Sequence, residues 1–390
     1  MFMMNRPLSL PEPDASARRC SDQLTALIRT EIAREQRISF CRFMELALYT
    51  PELGYYMNGL RKFGPEGDFI TAPEISALFS RCVARQCAQI LNACTEPMVL
   101  EVGAGSGVMA ADVLLELERL GALPQRYAIL ELSASLRARQ HQTLHARAAH
   151  LANRVVWLDR LPATAFEGVI LANELLDAMP VHRVCLTPGG ATEQYVTWDQ
   201  DHFSWTHGPL SEAALHTRIA ALPADLPPNY TTEINLAVDA WLRSLAPLLQ
   251  RGAMVLFDYG FPAREFYHPQ RIDGTLVCHY RHRVHNDPLT LVGLQDITSH
   301  VDFSALAYTA HDSGLHVAGF SNQTHFLLST GIDRLVSDDT SDVERWRIAQ
   351  QIQKLTSPAE MGELFKVLAL TRHLDLELAG FAFRDQRARL

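Results

Sequence analysis

The segment VLEVGAGSG at residues 99–107 limits the folds that this chain can adopt. A short apolar strand pattern runs directly into three glycines, Gly103, Gly105 and Gly107. Glycines allow a backbone to approach a ligand closely, and parallel α/β sheets bind cofactors at the carboxyl ends of their strands. The dinucleotide fingerprint requires Gly or Ala where this chain has Val108. The spacing therefore favours a cofactor without a pyrophosphate, with a plain glycine turn as the alternative.

The rest of the chain alternates strand and helix patterns. Short apolar runs predict strands at 97–102, 126–132, 153–159, 168–173 and 252–260, a hairpin at 183–205, and a strand pair within 314–331 joined by a turn at Ser321 and Asn322. Helical spacing of apolar residues predicts helices at 21–48 (one or two), 75–93, 107–120, 133–148, 236–249 and in the C-terminal 60 residues. Such alternation predicts an α/β fold with a mostly parallel sheet covered by helices on both faces.

The same patterns divide the chain into three parts. We expect an N-terminal helical and lid region at 1–95, a Rossmann-like core at 96–335, and a C-terminal helical segment at 336–390. Two insertions in the core are expected at about 183–250 and 262–312.

An acidic residue, Glu131, ends the second predicted strand, 24 residues after Gly107. A carboxylate at that point can accept both hydrogen bonds from a ribose 2′,3′-diol. Sites for NAD and for S-adenosylmethionine both use such a residue, so Glu131 indicates a nucleoside without choosing between them. A solvated acid at a strand end is the alternative.

The fourth predicted strand ends in a polar sequence that contains Asn173, Glu174 and Asp177. Polar groups that follow the apolar run GVILA are costly to bury, which favours a position at a wet cleft. A carboxylate there could orient a nucleophilic nitrogen and hold the guanidinium group of an arginine substrate. Capping of a following helix by Asn173 and an acid in its first turn is the alternative.

Two further segments carry polar side chains that could have a function. In GDFITAPEIS, at residues 67–76, Asp68, Thr71, Glu74 and Ser76 surround Pro73, which suits either a lid over a ligand or an ordinary turn and helix N-cap.

A histidine-rich segment contains His279, His282 and His285. It lacks a partner set at zinc-like spacing, so we interpret it as a hydrogen-bonded basic loop and predict no metal site.

Charge and hydropathy limit the partners. The net charge is −9, which gives no support for binding nucleic acid or acidic membranes and is compatible with a basic partner. No run approaches the ~20 apolar residues of a membrane-spanning helix, so no membrane insertion is expected. The seven scattered cysteines lack a CxxC pair and suit reduced thiols. Since the N-terminus does not resemble a secretory signal, we expect a cytoplasmic protein.

Several long motifs in this order resemble the MidA family of class I methyltransferases. The likeness runs from about residue 25 to 370 and rests on FMELALYTPELGYY, FGPEGDFITAPEISALF, LEVGAGSG, YAILELSASLRARQ, LANELLDAMPVHR, FDYGF, DGTL with YRHR, GLQDITSHVDFSAL and MGELFKVLAL. The resemblance implies a seven-stranded Rossmann-like sheet with an antiparallel last strand, with S-adenosyl-L-methionine as the cofactor. Mitochondrial members of this family are protein arginine methyltransferases that act on a core subunit of respiratory complex I.

The resemblance also implies roles for individual residues. The catalytic candidates are Glu174 and Asn173, to which the argument from carboxylate chemistry adds Asp177. The candidates for holding the cofactor are Asp68, Thr71, Pro73, Glu74, Glu101, Gly103, Ala104, Gly105, Gly107, Glu131, Leu132, Ser133 and Asn173.

The predicted function is therefore protein arginine N-methylation, with an arginine-containing protein such as a complex I subunit as the partner. A cofactor-binding assembly chaperone with little catalysis, and a small-molecule methyltransferase, are the alternatives. A dinucleotide oxidoreductase is disfavoured by Val108. The sequence leaves the oligomeric state open, with a homodimer as one option.

Overall fold

A computed structural model describes residues 10–60, Lys62, Asp68, 70–336 and 341–390. The chain divides into two compact units. Unit 1 contains Met1–Ile70, Ala178–Ala237 and Tyr267–Ser299, and unit 2 contains Thr71–Asp177, Val238–Phe266 and His300–Leu390. The three-part division of the chain that the sequence patterns suggest stays a prediction.

The elements follow in chain order. The helices are α1 (Ala15–Glu35), α2 (Phe40–Tyr49), α3 (Ala72–Ile75), α4 (Ala77–Leu91), α5 (Val108–Arg119), α6 (Ala134–Ala148), α7 (Ala213–Ala220), α8 (Leu236–Leu245), α9 (Ala263–Phe266), α10 (Phe303–Asp312), α11 (Gln323–Ser329) and α12 (Asp342–Thr356). The strands are β1 (Ile38–Ser39), β2 (Met98–Val102), β3 (Arg126–Leu130), β4 (Val155–Leu158), β5 (Phe166–Asn173), β6 (His182–Thr187), β7 (Gly190–Asp199), β8 (His202–Gly208), β9 (Tyr230–Ile234), β10 (Leu249–Phe261), β11 (Val277–Tyr280), β12 (Arg283–His285), β13 (Asp296–Thr298), β14 (Val301–Asp302), β15 (His316–Asn322) and β16 (Phe365–Arg372).

Unit 2 is built on a sheet with the order β4-β3-β2-β5-β10-β16-β15, and the short β14 pairs with the end of β10. The strands from β4 to β10 are parallel to their neighbours, and β16 is antiparallel to both β10 and β15. The predicted Rossmann-like sheet of seven strands with an antiparallel strand is therefore confirmed. In register, Val102 lies beside Leu130 on β3 and Ala172 on β5, so three strands end at one edge of the sheet.

Both faces of this sheet are covered, which explains why its strands are almost uniformly apolar. Val99, Val169 and Val255 are fully buried in one core cluster with side chains of α4 and α5. Strands covered on both faces read as continuous apolar runs rather than as alternating patterns, and this made β2, β5 and β10 recognisable in the sequence.

The position predicted for the seventh strand is wrong. Residues 314–331 contain one strand, β15, followed by the helix α11, because Asn322 caps a helix by accepting a hydrogen bond from His325 N at 2.9 Å. The antiparallel partner of β15 is β16, which lies in the C-terminal region that was predicted to be helical. An apolar run such as FKVLALTR does not distinguish a buried strand from a buried helix by its periodicity.

Unit 1 contains antiparallel sheets. Its larger sheet has the order β1-β7-β6-β9, with β8 paired to β7, and a smaller one has the order β12-β11-β13. The hairpin predicted at 183–205 is a meander of three strands, β6, β7 and β8. Phe40 and Phe43 of α2 pack with Val196 and Phe203 in the core of this unit.

Among the described residues, no helix combines the length and the apolar character that crossing a membrane requires.

Candidate active site

The glycine loop connects β2 to α5 in unit 2. Gly103, Gly105 and Gly107 have φ angles of 70°, 52° and 80°, which lie in the left-handed region that other residues rarely adopt. A Cβ atom on Gly107 would lie 3.0 Å from Gln140 Cα, and one on Gly103 would lie 2.9 Å from Leu175 Cδ1. The loop therefore requires glycine for its backbone conformation and for its close approach to neighbouring elements.

Glu101 lies on β2 just before this loop and is fully buried. The hydroxyl of Tyr127 donates to Glu101 Oε2 at 2.6 Å. Burial, together with the nearby charge of Glu131, outweighs this hydrogen bond and raises the pKa of Glu101 to about 7. The site thus contains a carboxyl group that readily changes its charge near neutral pH.

Glu131 follows β3, where the sequence placed it, and its side chain is tightly held. Ser133 N donates to Oε1 at 2.9 Å, and Gln140 Nε2 donates to Oε2 at 2.9 Å and to Gly105 O at 3.1 Å. Trp157 Nε1 donates to Gln140 Oε1 at 3.0 Å, which fixes the orientation of the Gln140 amide. One glutamine therefore ties the acid to the glycine loop, and sequence reasoning missed this residue.

Leu132 is 66% exposed, although it lies between the buried residues Glu131 and Ser133. Ser133 caps α6 by accepting a hydrogen bond from Leu136 N at 3.5 Å. An exposed leucine beside a buried acid places an apolar surface next to a hydrogen-bond acceptor. This combination suits a nucleoside, since a base has an apolar face and a ribose has hydroxyl donors.

Asn173 and Glu174 lie at the carboxyl end of β5, and both are half-buried. Glu174 has a φ angle of 51°, and its backbone N–H donates to Phe257 O on β10 at 2.9 Å. Its Oε1 atom accepts from Asn173 Nδ2 at 3.2 Å and from Ala72 N at 3.4 Å. The Glu174 side chain is therefore oriented by a left-handed backbone and by two donors to its Oε1 atom.

Asp258, on β10, is fully buried beneath this turn. Its Oδ2 atom accepts three backbone N–H groups, from Leu175 at 3.2 Å, Leu176 at 2.8 Å and Asp177 at 3.3 Å. Burial and the negative charges of Asp177 and Glu174 raise the pKa of Asp258 well above its usual range. Sequence reasoning did not select Asp258, although an acid at the end of a buried apolar strand next to β5 was a usable signal.

Asp177, the other predicted catalytic acid, is itself buried, whereas Glu174 is half-buried. A substrate thus reaches Glu174 more readily than Asp177.

The segment predicted as a lid is distributed over both units. In unit 2, Thr71 precedes the short helix α3, which contains the buried Pro73, and the Glu74 carboxylate accepts a hydrogen bond from Ser106 Oγ in the glycine loop. This contact places α3 against the loop. Gly67 and Phe69 lie outside the described residues.

Asp68 lies in unit 1. Its carboxylate accepts from Tyr55 Oη at 2.8 Å and from Arg281 N at 2.6 Å. Asp68 therefore has partners within unit 1, and its role toward a cofactor stays a prediction.

The histidines of the basic segment lie on the hairpin of β11 and β12, with His282 at its turn. In the part of the chain that the structure describes, no three His, Cys, Asp or Glu side chains are grouped to hold a metal ion.

The arrangement at the edge of the unit 2 sheet fits S-adenosyl-L-methionine. A glycine loop allows close approach, Glu131 can accept from a ribose diol, and Leu132 offers an apolar surface to a base. Glu101 adds a carboxyl group that can ionise near neutral pH, which suits a ligand with a cationic sulfur. Fold and site together define a class I methyltransferase that uses S-adenosyl-L-methionine.

Comparison with known proteins gives the same class. A family model for S-adenosyl-L-methionine-dependent methyltransferases matches residues 82–321, which is more than half of the chain. The chain belongs to this family, and the resemblance to MidA proteins noted from the sequence motifs is confirmed.

Two relatives and a solved structure are similar to this chain over most of its length. The mitochondrial protein arginine methyltransferase NDUFAF7 homolog of Drosophila melanogaster is 29% identical, covering 95% of this chain and 91% of the relative. Protein arginine methyltransferase NDUFAF7 of Bos taurus is 29% identical, covering 86% and 80%. A crystal structure from Burkholderia thailandensis bound to S-adenosyl-homocysteine is 44% identical, with a TM-score of 0.93 and coverage of 98% of this chain and 100% of that one.

Proposed function

We propose that this methyltransferase transfers a methyl group to a guanidinium nitrogen of an arginine in a protein substrate. The observation that carries the proposal is the half-buried Glu174 carboxylate at the carboxyl end of β5, held in a fixed orientation by its neighbours. Carboxylates bind guanidinium groups through charge-assisted hydrogen bonds. Relatives that match nearly the whole chain carry the name protein arginine methyltransferase, which supports the same substrate class.

The chemical problem in such a reaction is the nucleophile. The nitrogen lone pairs of a guanidinium group are delocalised, and with a pKa above ~12 the group stays protonated at neutral pH. Its nitrogens therefore attack an electrophile poorly. S-adenosyl-L-methionine supplies an electrophilic methyl group when bound. The Glu174 carboxylate would hydrogen-bond the nitrogens that do not react, localise a lone pair on the remaining nitrogen and stabilise the positive charge. Alignment of the reacting atoms can lower the activation free energy by on the order of 7 kcal/mol.

We assign the cofactor to the glycine loop and its surroundings. Glu131 would accept from the ribose hydroxyls, with Leu132 against the base and Ser133 holding the Glu131 carboxylate. The loop itself contributes Gly103, Ala104, Gly105 and Gly107, and Asn173 borders it, while Thr71, Pro73 and Glu74 approach through the contact of Glu74 with Ser106.

Glu101 gives a test of this assignment that needs no protein substrate. Because its pKa is about 7, the carboxyl group is half protonated at neutral pH, and only the ionised form attracts a cationic ligand. Affinity for S-adenosyl-L-methionine should therefore rise from pH 6 to pH 8, by about tenfold if the bound state keeps Glu101 ionised. Isothermal titration calorimetry across this range measures the effect.

The variant Glu101→Gln serves as the control for that titration. It keeps the shape and the partner Tyr127 but cannot ionise, so its affinity should be nearly independent of pH. An equally steep pH dependence in the Gln variant would remove Glu101 from cofactor binding.

The finer proposal is that the substrate is a subunit of respiratory complex I or a similar protein. The net charge of −9 is compatible with a basic substrate segment. We expect mass spectrometry of cells with and without this protein to show one or a few dimethylarginine sites that disappear, including a complex I subunit.

The same comparison distinguishes the alternatives. Transfer of radiolabelled methyl groups only to small molecules in a cell extract would identify a small-molecule methyltransferase. Two results together would favour an assembly chaperone. The unmodified protein would bind the cofactor tightly without transferring a methyl group, and complex I assembly would stay intact in Gly105→Val, a variant of the cofactor loop. Either result contradicts the arginine proposal.

A further inference from the structure

The carboxyl end of β10 carries a cluster of aromatic rings that the proposed reaction leaves unused. The ring centres of Tyr259 and His300 lie 5.4 Å apart, and those of Phe261 and His300 lie 5.2 Å apart. Phe365, which pairs with Tyr259 across the sheet, adds a fourth ring whose centre lies 5.4 Å from that of Tyr259. We call these four residues of unit 2 the aromatic wall. Phe365 is buried, but the other three are half-buried and keep part of their surface exposed.

The aromatic wall lies on the same face of the sheet as the Glu174 carboxylate. Ala72, whose N–H donates to Glu174 Oε1 at 3.4 Å, belongs to the core cluster that covers one face of the sheet. Phe365 belongs to that cluster as well, and Tyr259 packs against it. The carboxylate and two rings of the aromatic wall therefore contact the same layer of side chains.

The aromatic wall also lies a short way along the strand from Glu174. β10 pairs with β5 as far as Phe257, whose carbonyl oxygen accepts from Glu174 N at 2.9 Å. A strand rises about 3.3 Å per residue, so Tyr259 lies roughly 7 Å beyond Phe257 and Phe261 roughly 13 Å beyond it. A long side chain whose end group reaches the carboxylate would therefore run along these rings.

A cation already lies beside the outer ring, Phe261. The Nζ atom of Lys366, a buried residue of β16, lies 5.6 Å from the centre of the Phe261 ring. The ammonium group would repel a second positive charge at that ring. Tyr259 lies nearer to the Glu174 carboxylate, so its ring suits a cation, whereas Phe261 suits an uncharged part of the same ligand.

We propose that the aromatic wall is the acceptor subsite, in which the guanidinium group of the substrate arginine contacts both the Tyr259 ring and the Glu174 carboxylate. The planar cation stacks on the ring face while the carboxylate hydrogen-bonds its N–H groups. Phe261 and His300 contact the aliphatic part of the arginine side chain. This inference rests on the proposed arginine methylation and adds the residues that bind the acceptor.

The test replaces the Tyr259 ring. An extract of cells that lack this protein supplies the acceptor, tritiated S-adenosyl-L-methionine supplies the methyl group, and radioactivity is counted in methylarginine after acid hydrolysis. Tyr259→Leu should raise the apparent KM for the extract at least about fivefold and leave kcat within about threefold. The reason is that a contact made equally in the ground state and the transition state changes KM alone. Tyr259→Phe keeps the ring, so both constants should stay within about twofold of those of the unmodified protein.

Tyr308→Leu is the matched control. Tyr308 lies on α10 of the same unit and is 71% exposed, so the same substitution there should leave KM unchanged. An unchanged KM in Tyr259→Leu, or an equal rise of KM in Tyr259→Phe, would overturn the role of the Tyr259 ring.

Isothermal titration with S-adenosyl-L-methionine shows whether each variant is folded. If Tyr259→Leu no longer binds the cofactor, Phe261→Leu decides, because it removes a different ring of the aromatic wall. A KM raised at least about threefold in Phe261→Leu supports the acceptor subsite, and an unchanged KM contradicts it.

The same assay separates this inference from the proposal on which it rests. If the unmodified protein forms no methylarginine, arginine methylation is wrong and the acceptor subsite falls with it. If the unmodified protein forms methylarginine and Tyr259→Leu has the same KM, the acceptor subsite alone is wrong.

Discussion

Replacing Glu174 with Gln should reduce methyl transfer at least about 100-fold, the scale of losing one preorganised group that stabilises developing charge. The amide keeps the size of the side chain and can still accept from Ala72 N and Asn173 Nδ2. It carries no negative charge, so it cannot stabilise a guanidinium group as its nitrogen attacks. Affinity for S-adenosyl-L-methionine should stay within about threefold of the unmodified protein, because the cofactor is assigned to other residues.

Two measurements separate these effects. Isothermal titration gives the cofactor affinity, and transfer of a tritiated methyl group to the protein substrate gives the rate. The matched variant is Asp177→Asn, which removes a buried carboxylate from the same turn and should reduce the rate far less. Full activity in Glu174→Gln, with a large loss in Asp177→Asn, would transfer the catalytic role to Asp177.

Much of unit 2 could be predicted because its signals are local. A glycine loop after an apolar strand, and an acid after the next strand, specify the positions of Gly103 and Glu131 within a few residues of sequence. Parallel pairing then brings the ends of β2, β3 and β5 to one edge without any long-range information. The strand β16 was missed because an apolar run buried on both sides looks the same in a helix and in a strand.

The residues that hold the site together were harder to predict because their partners are distant in sequence. Gln140 is a polar residue within α6, and nothing in its local pattern shows that it connects Gly105 to Glu131. Asp258 contacts a turn that lies more than 80 residues earlier in the chain. Unit 1 is assembled from three separate segments, and no local pattern indicates that they form one compact unit.

The turn that carries Glu174 shows how such distant contacts control a site. A residue other than glycine in the left-handed region costs roughly 1–2 kcal/mol. Three hydrogen bonds to the Asp258 carboxylate contribute about 1 kcal/mol each, or roughly 3 kcal/mol together. The hydrogen bonds are thus of the same order as the backbone strain, and we expect Asp258 to act as a positioning residue for Glu174.

Asp258→Ala removes the acceptor of these three N–H groups, so it should release the turn and reduce kcat about 100-fold, while the dissociation constant for S-adenosyl-L-methionine changes less than about threefold. Asp258→Asn keeps one oxygen that can accept the same N–H groups, so it should recover most of the lost kcat. Glu116→Gln controls for loss of stability and should leave kcat unchanged, because it removes a different buried carboxylate, one that pairs with Arg81 and Arg119.

If Asp258→Ala lowered only the melting temperature, or if Asp258→Asn failed to restore kcat, the positioning role would be wrong. A parallel fall of kcat in Asp258→Ala and Glu174→Gln, without a further fall in the double variant, is the expected signature of two residues that act through one carboxylate.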